Sequence, residues 1–397
     1  NTVDKQIDIR SLDLDMTSSR SAKLRITGGI RGWSGPEVRF NNLSVQANAV
    51  GEKIWPMIFP LLSSELQTKL AKAGISGPVR LDILVDGAYD VGSGDFHRRV
   101  RPLSVRGTFG VEKLDLTDAY GLTIAGLTQW FSIDQGRLVT GHKSSDGQWQ
   151  FAPPFQINGG KGDLGSIVIV LSHPDLPVSI GRKQRLFTSV QLNQVMAAQL
   201  GSLASVIFKD SRSASGIVDV VVMDCTNVPL VDLIQGSQKA RADILYSIRD
   251  LRLDGPVPGT LAGLLGWGDQ GIVGKIENGS LVLKDGVAYQ NMTLDLLKVI
   301  SVRDERTGQQ RQQEQWQQLM FKGGIDLEKQ KFRDYSLWIS SGLLLQDWRK
   351  SFPNGATVQL RGDVSDVGSI LTQTIGSLAV QGYGGSLIDD LLNKRKK

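Results

Sequence analysis

Along most of the chain, apolar and polar residues alternate one for one. In QIDIRSLDLD the apolar positions Ile7, Ile9, Leu12 and Leu14 are set apart by polar ones, and KLRITGGI, EVRFNNLSVQANAV, VRLDILVDGAY and RPLSVRGTFGVEKLDL continue the pattern. It returns in GIVDVVVMDC, RADILYSIRDLRLDG and QLMFKGGIDLEKQKFRDYSLWIS. A period of two puts neighbouring side chains on opposite faces, so each run predicts a strand with one buried face. The clearest unit is ENGSLVLKDGVAYQNMTLDLL (277–297), where Ser280–Lys284 and Val287–Leu296 flank Asp285-Gly286. Asp-Gly between two alternating runs is a strong signal for a tight hairpin.

Other stretches carry helical spacing. EKIWPMIFPLLSSELQTKLAKAG (52–74) offers Ser63 or Ser64 as an N-cap and ends on Gly74. TSVQLNQVMAAQLGSLASVIF (188–208) predicts a helix with a wide apolar stripe of Val190, Val195, Met196, Leu200 and Leu203. VPLVDLI, PGTLAGLLGW, VGSILTQTIGSLAV and GSLIDDLLNK are shorter amphipathic pieces. RDERTGQQRQQEQWQQ (303–318) is polar and Gln-rich, and reads as a long exposed excursion between two strands. The fold class predicted is therefore mainly β with several helices (α+β). Its core is an elongated, twisted antiparallel sheet, either open as a groove or with helices plugging or capping it. Region 1–210 is β-rich with two helical insertions. Region 211–397 is a second β region with the excursion 303–318 and a C-terminal helix, and the small polar residues of FKDSRSASG (208–216) mark the boundary.

Composition fits many turns between many strands: 45 Gly but only 13 Pro, with 40% apolar and 21% charged residues, as in a globular chain that is neither disordered nor transmembrane. The net charge of +5, from 45 basic and 40 acidic residues, is too mild an excess to imply a nucleic-acid partner. Besides the terminal NKRKK, the best basic run is His97-Arg98-Arg99-Val100-Arg101, which lacks interleaved aromatic residues. The single cysteine, Cys225, excludes an internal disulfide and any multi-cysteine zinc site, and its apolar run predicts a buried thiol. His97, His142 and His173 lie in turn-like or strand-end settings without a second ligand at helical spacing, which predicts surface histidines. Gly160, Gly162 and Gly165 spell G-x-G-x-x-G, but the strand-like SIVIVLS follows where a dinucleotide site needs a helix, so the match predicts a turn. The pairs Asp13/Asp15, Asp115/Asp118 and Asp389/Asp390 are explained by alternation or by a helix surface. No catalytic residue, metal ligand or cofactor follows from these patterns, and the expectation is a protein that is not an enzyme.

What remains is the sheet. SIVIVLS, VDVVVMD and the LLL of SGLLLQD are apolar on both faces, which requires a covering layer or an apolar guest. Over 270–339, Gly274-Lys275-Ile276-Glu277-Asn278-Gly279, Asp285-Gly286, Leu294, Leu296, Phe321-Lys322-Gly323-Gly324-Ile325-Asp326-Leu327 and Asp334–Leu337 form a recognisable series. CTNVPLVDLI and LRLDGPVPGTL are similar in style. This series resembles the C-terminal region of the AsmA-like family of bacterial envelope proteins, relatives of the repeating β-groove lipid-transfer proteins. The resemblance implies an apolar groove that carries phospholipid or other lipid between inner and outer membrane surfaces, a role in outer membrane biogenesis, no catalytic residues, and an envelope protein as a further partner. It also implies a periplasmic location and an inner-membrane anchor, a segment absent from this chain, which has no signal peptide, initiator Met or eighteen-residue apolar run. The side chains expected to face lipid are Leu281, Leu283, Met292, Leu294, Leu296, Ile325 and Leu327. Two alternatives stand beside this one: a structural or assembly scaffold with a closed core, and a carbohydrate-active β protein.

Overall fold

The alternating runs become antiparallel sheet nearly everywhere. The computed structural model describes residues 6–15, 22–32, 37–50, 74–90, 103–119, 121–143, 146–171, 173, 175–198, 205–208, 211–230, 236–264, 271–303, 310–344 and 346–382. The chain divides into two units, Asn1–Phe187 with Asp224–Gly236, and Thr188–Met223 with Ser237–Lys397.

The long strands of unit 1 are β1 (Gln6–Asp15), β2 (Ala22–Arg31), β3 (Glu37–Val50), β4 (Gly74–Ser76), β5 (Pro78–Asp90), β6 (Leu103–Ala119), β7 (Leu122–Asp134) and β8 (Arg137–Thr140). Shorter ones follow: β9 (His142–Lys143), β10 (Trp149–Gln150), β11 (Phe155–Ile157), β12 (Gly160–Gly162), β13 (Ile167–Val170) and β14 (Pro177–Ile180). Pairing runs β1–β2–β3–β5–β6–β7–β8–β13–β14, each step antiparallel. β4 continues the line of β5 against β6, and β7 passes from β8 to β11 along its length. Register shifts interrupt the ladders between Ile9 and Leu12, Thr27 and Gly29, and Phe40 and Leu43. Such bulges bend the strand and increase its twist without exchanging the two faces of the sheet. Two further strands, β15 (Gln184–Leu192) and β16 (Ser213–Pro229), each contribute residues to both units.

In unit 2, β17 (Arg241–Asp254), β18 (Ile272–Lys284), β19 (Val287–Arg303), β20 (Gln310–Asp326), β21 (Lys331–Ile339) and β22 (Ala356–Leu360) pair in sequence order, all antiparallel. The helices are α1 (Pro256–Leu264), α2 (Gln346–Ser351) and α3 (Val367–Gly382). α1 packs on α3, on β17 and β18, and on the turn Val206–Phe208, while α3 packs on β22. The mainly-β class with a few short helices is thus the observed one.

Two expectations change. The segment 188–208 is not one helix: strand β15 runs to Leu192, a helix begins at Gln194–Met196, and Val206–Phe208 forms a tight turn, while Leu200 and Leu203 lie outside the described residues. Val190 and Leu192 are buried and Ser189 and Gln191 exposed, so this part of the apolar stripe satisfied a period of two as well as a helical one. Asn193 ends the strand and caps the turn, its Oδ1 accepting from the Met196 N–H at 3.0 Å. Within the Gln-rich 303–318, residues 310–318 belong to β20 and pair with β19, because an amphipathic hairpin arm in water tolerates glutamine. Residues 208–216, where the sequence suggests a boundary, belong to unit 2, which comprises Thr188–Met223 and Ser237–Lys397. The helix pattern at 52–74 and the piece GSLIDDLLNK lie outside the described residues, whereas VGSILTQTIGSLAV falls within α3.

Candidate functional site

The seven residues read as lipid-facing come from strands β18 to β20 and the turn after them. Register brings Ile276 beside Leu294 and Gly279 beside Met292, and then Leu294 beside Leu319 and Met292 beside Phe321. They share one face with Tyr335, Leu337 and Ile339 of β21. That face is not open. Met292, Leu294 and Leu296 are 0% exposed, Leu283, Ile325 and Leu327 are buried, and Leu281 is half-buried. The opposite face carries the exposed Tyr289 and Trp316, so the helices of unit 2 lie on the buried side. Val257, Leu261 and Ala262 of α1 and Leu371 and Ile375 of α3 are buried with it. Six of these seven side chains are packed within the protein itself, so the face that alternation marks is a buried one in this structure. Periodicity says which side avoids water and leaves unspecified what covers it.

The glycines in the series 274–327 have a packing reason. A Cβ on Gly279 would stand 2.3 Å from Cζ of Tyr246, and one on Gly323, whose φ is +151°, would stand 2.3 Å from the Cα of Tyr335. The two glycines therefore make room for two core tyrosines. Tyr335 donates its hydroxyl proton to Gln290 Oε1 at 2.6 Å, and Ser205 hydrogen-bonds to Tyr335. Burial pushes the phenol pKa of both Tyr246 and Tyr335 far above its ordinary value. This polar group is satisfied and holds its protons, so it specifies the core and offers no acid or base.

Unit 1 arranges its two faces differently. Leu24, Ile26, Val45, Ala47, Leu81, Ile83, Phe109, Phe131 and Ile133 follow one another across β2, β3, β5, β6 and β7 in register. Every one of them is half-buried, and at the β1 edge Leu12 is 41% exposed. Phe109 and Phe131 stack at 5.9 Å between ring centroids. Burial is complete at Val79, Val111 and Gln129 toward one end, and Leu43 is buried toward the other. Among its described residues unit 1 holds no helix, so no described helix lies on this face. The face continues onto β8, β13 and β14 through Leu138, Ile169 and Val178.

The other face of unit 1 is polar. Asp13, Arg25, Gln46, Asp82, Thr108 and Ser132 follow one another in register. Arg25 Nε lies 2.6 Å from Asp13 Oδ1, which holds the Asp13 carboxyl below its ordinary pKa. Two adjoining hollows of about 660 and 690 Å³ lie on this side, and Thr108 and Trp130 border both. His142, expected on the surface, is half-buried and borders the second hollow. His173 is on the surface, where its Nδ1 accepts from the Asp175 N–H at 3.2 Å, and His97 lies outside the described residues. Gly160 and Gly162 form a short hairpin with β11, and a strand follows, as the turn reading expects. Cys225 is buried, and loss of water around it pushes its thiol pKa up to about 11. Among the described residues no three potential ligands gather around a metal position, and no helix is long and apolar enough to cross a membrane. Comparison with known proteins returns no matching family model, no matching curated protein and no matching solved structure.

Proposed function

We propose that this chain is a non-enzymatic lipid-binding or lipid-transfer module of the bacterial cell envelope, and that the apolar face of unit 1 holds the acyl chains. The observation that carries this reading is the half-buried apolar face across β2, β3, β5, β6 and β7, on which no described helix packs. Each methylene moved from water onto such a surface gains about 0.8 kcal/mol. Several methylenes along one acyl chain suffice for useful affinity without any activated group. The resemblance of 270–339 to AsmA-like proteins supports a phospholipid as the cargo, membrane surfaces as its source and destination, and the periplasm as the location.

Mass spectrometry of solvent extracts of the purified protein is expected to recover lipid, and delipidated protein is expected to take up a fluorescent phospholipid. Ile83→Gln, in the middle of the apolar face, is expected to reduce that uptake severalfold, and Gln46→Ser on the opposite face to leave it unchanged. Folded, delipidated protein that refuses the lipid would sink the proposal. A closed scaffold with protein partners is the second reading, favoured by the filled core of unit 2; it expects no lipid in the extract and no effect of Ile83→Gln on uptake.

A further inference from the structure

The hollow of about 690 Å³ on the polar side of unit 1 has a chemistry that lipid transfer does not use. Trp130 lies flat over Gly110, where a Cβ would stand 2.3 Å from its Cζ3, so the indole runs along the sheet and borders the hollow. Strand β10 brings Trp149 to the same hollow. Trp149 is 40% exposed and stacks near-parallel, at 16°, with Phe151, itself 46% exposed. An amphipathic protein surface rarely leaves two neighbouring large rings in water without a use for them. The polar lining mixes donors and acceptors: Thr108, Ser132 and Gln135 offer both, Asp134 accepts and Arg137 donates. Asp134 and Arg137 face each other across the tight turn at Gln135-Gly136, so a rigid hairpin sets their spacing. Finally, His142 stands edge-on to Trp130 at 6.0 Å, and its Nδ1 is shielded from solvent with no hydrogen-bond partner among the described residues. An unsatisfied polar atom beside a hollow is what a ligand hydroxyl relieves after a small turn of the ring.

We infer that this hollow binds a neutral oligosaccharide. A pyranose ring has an apolar face of C–H groups and a rim of hydroxyls, which matches aromatic platforms ringed by mixed donors and acceptors. The two hollows adjoin at Thr108 and Trp130. It is the hollow of about 660 Å³ that carries Arg25, Gln46 and Asp82, and its continuity with the one of about 690 Å³ suits a chain of sugars better than one ring. The site lies on the face opposite the one proposed for lipid, so the two inferences stand or fall separately.

The test is isothermal titration calorimetry, with tryptophan fluorescence in parallel, of the whole delipidated protein against cellotriose, maltotriose and chitotriose. At least one of the three is expected to bind saturably. Trp149→Ala is expected to weaken that binding by about tenfold or more, as removal of a central aromatic contact does. Trp316→Ala in unit 2 and Ile83→Gln on the apolar face are expected to leave it unchanged. Should Trp149→Ala fail to fold, Asp134→Asn, which changes one acceptor on an exposed turn, takes its place with the same expectation. Absence of saturable binding by all three, binding that survives Trp149→Ala, or binding of phosphocholine in place of the sugars would overturn the inference.

Discussion

Met292 and Ile83 occupy equivalent strand positions, each pointing to the apolar side of its sheet, yet their surroundings differ. Met292 is fully buried, and Ile83 is half-buried with no described helix over it. Met292→Ala is therefore expected to destabilise unit 2 by roughly 2–5 kcal/mol in denaturant unfolding, while lipid uptake per folded molecule stays unchanged. Tyr335→Phe removes the proton donor to Gln290 and leaves a buried amide oxygen unpaired, an expected loss of about 1–3 kcal/mol by the same measurement. Cys225 gives a pH-dependent readout. Its folded pKa of about 11 lies above the ordinary 9.0, so burial of the neutral thiol contributes stability below pH 9, and that contribution fades as pH rises through 11. Thiol labelling of the native protein at pH 8 is expected to be far slower than in urea, and native-state labelling as fast as the unfolded rate would contradict the burial. At this scale the sequence announced Cys225 correctly, because an apolar run around one small residue leaves few options. It did not announce Tyr246 and Tyr335, since their need for Gly279 and Gly323 is a contact between strands, invisible along the chain.

At the scale of elements, the best-formed signal was the hairpin at 277–297, and β18 and β19 pair from Lys284–Val287 outward as its Asp-Gly turn requires. The weakest was 188–208, where one set of apolar positions served two periodicities until cross-strand pairing decided between them. The Gln-rich arm is the most instructive. Residues 297–303 pair only with 310–316 among the described residues, because β18 reaches no farther than Leu296 on one side and β21 no farther than Leu319 on the other. A two-stranded ribbon without further partners is marginal in water. Native-state hydrogen exchange is expected to show the amides of 299–303 and 310–314 opening much faster than those of 288–296 and 319–325. Equal protection along both strands would show that the arm is held by something outside this chain.

For the whole molecule, the mainly-β class was legible because alternation is a local property repeated many times. The division into units was not, since it depends on β15 and β16 contributing residues to both. The face proposed for lipid did not emerge from pattern alone. The series at 270–339 lies in unit 2, where Leu294 and Leu296 are buried, whereas the apolar face on which no described helix packs belongs to unit 1. The central claim is thus a claim about one face of one unit. Photo-crosslinking tests it most directly, with p-benzoylphenylalanine in place of Phe109 on the apolar face and, in a second variant, in place of Gln46 on the polar face. After irradiation in cells, mass spectrometry of the purified protein is predicted to find lipid adducts at position 109 and none at position 46. Adducts confined to protein at position 109, or lipid captured equally at both positions, would contradict the account.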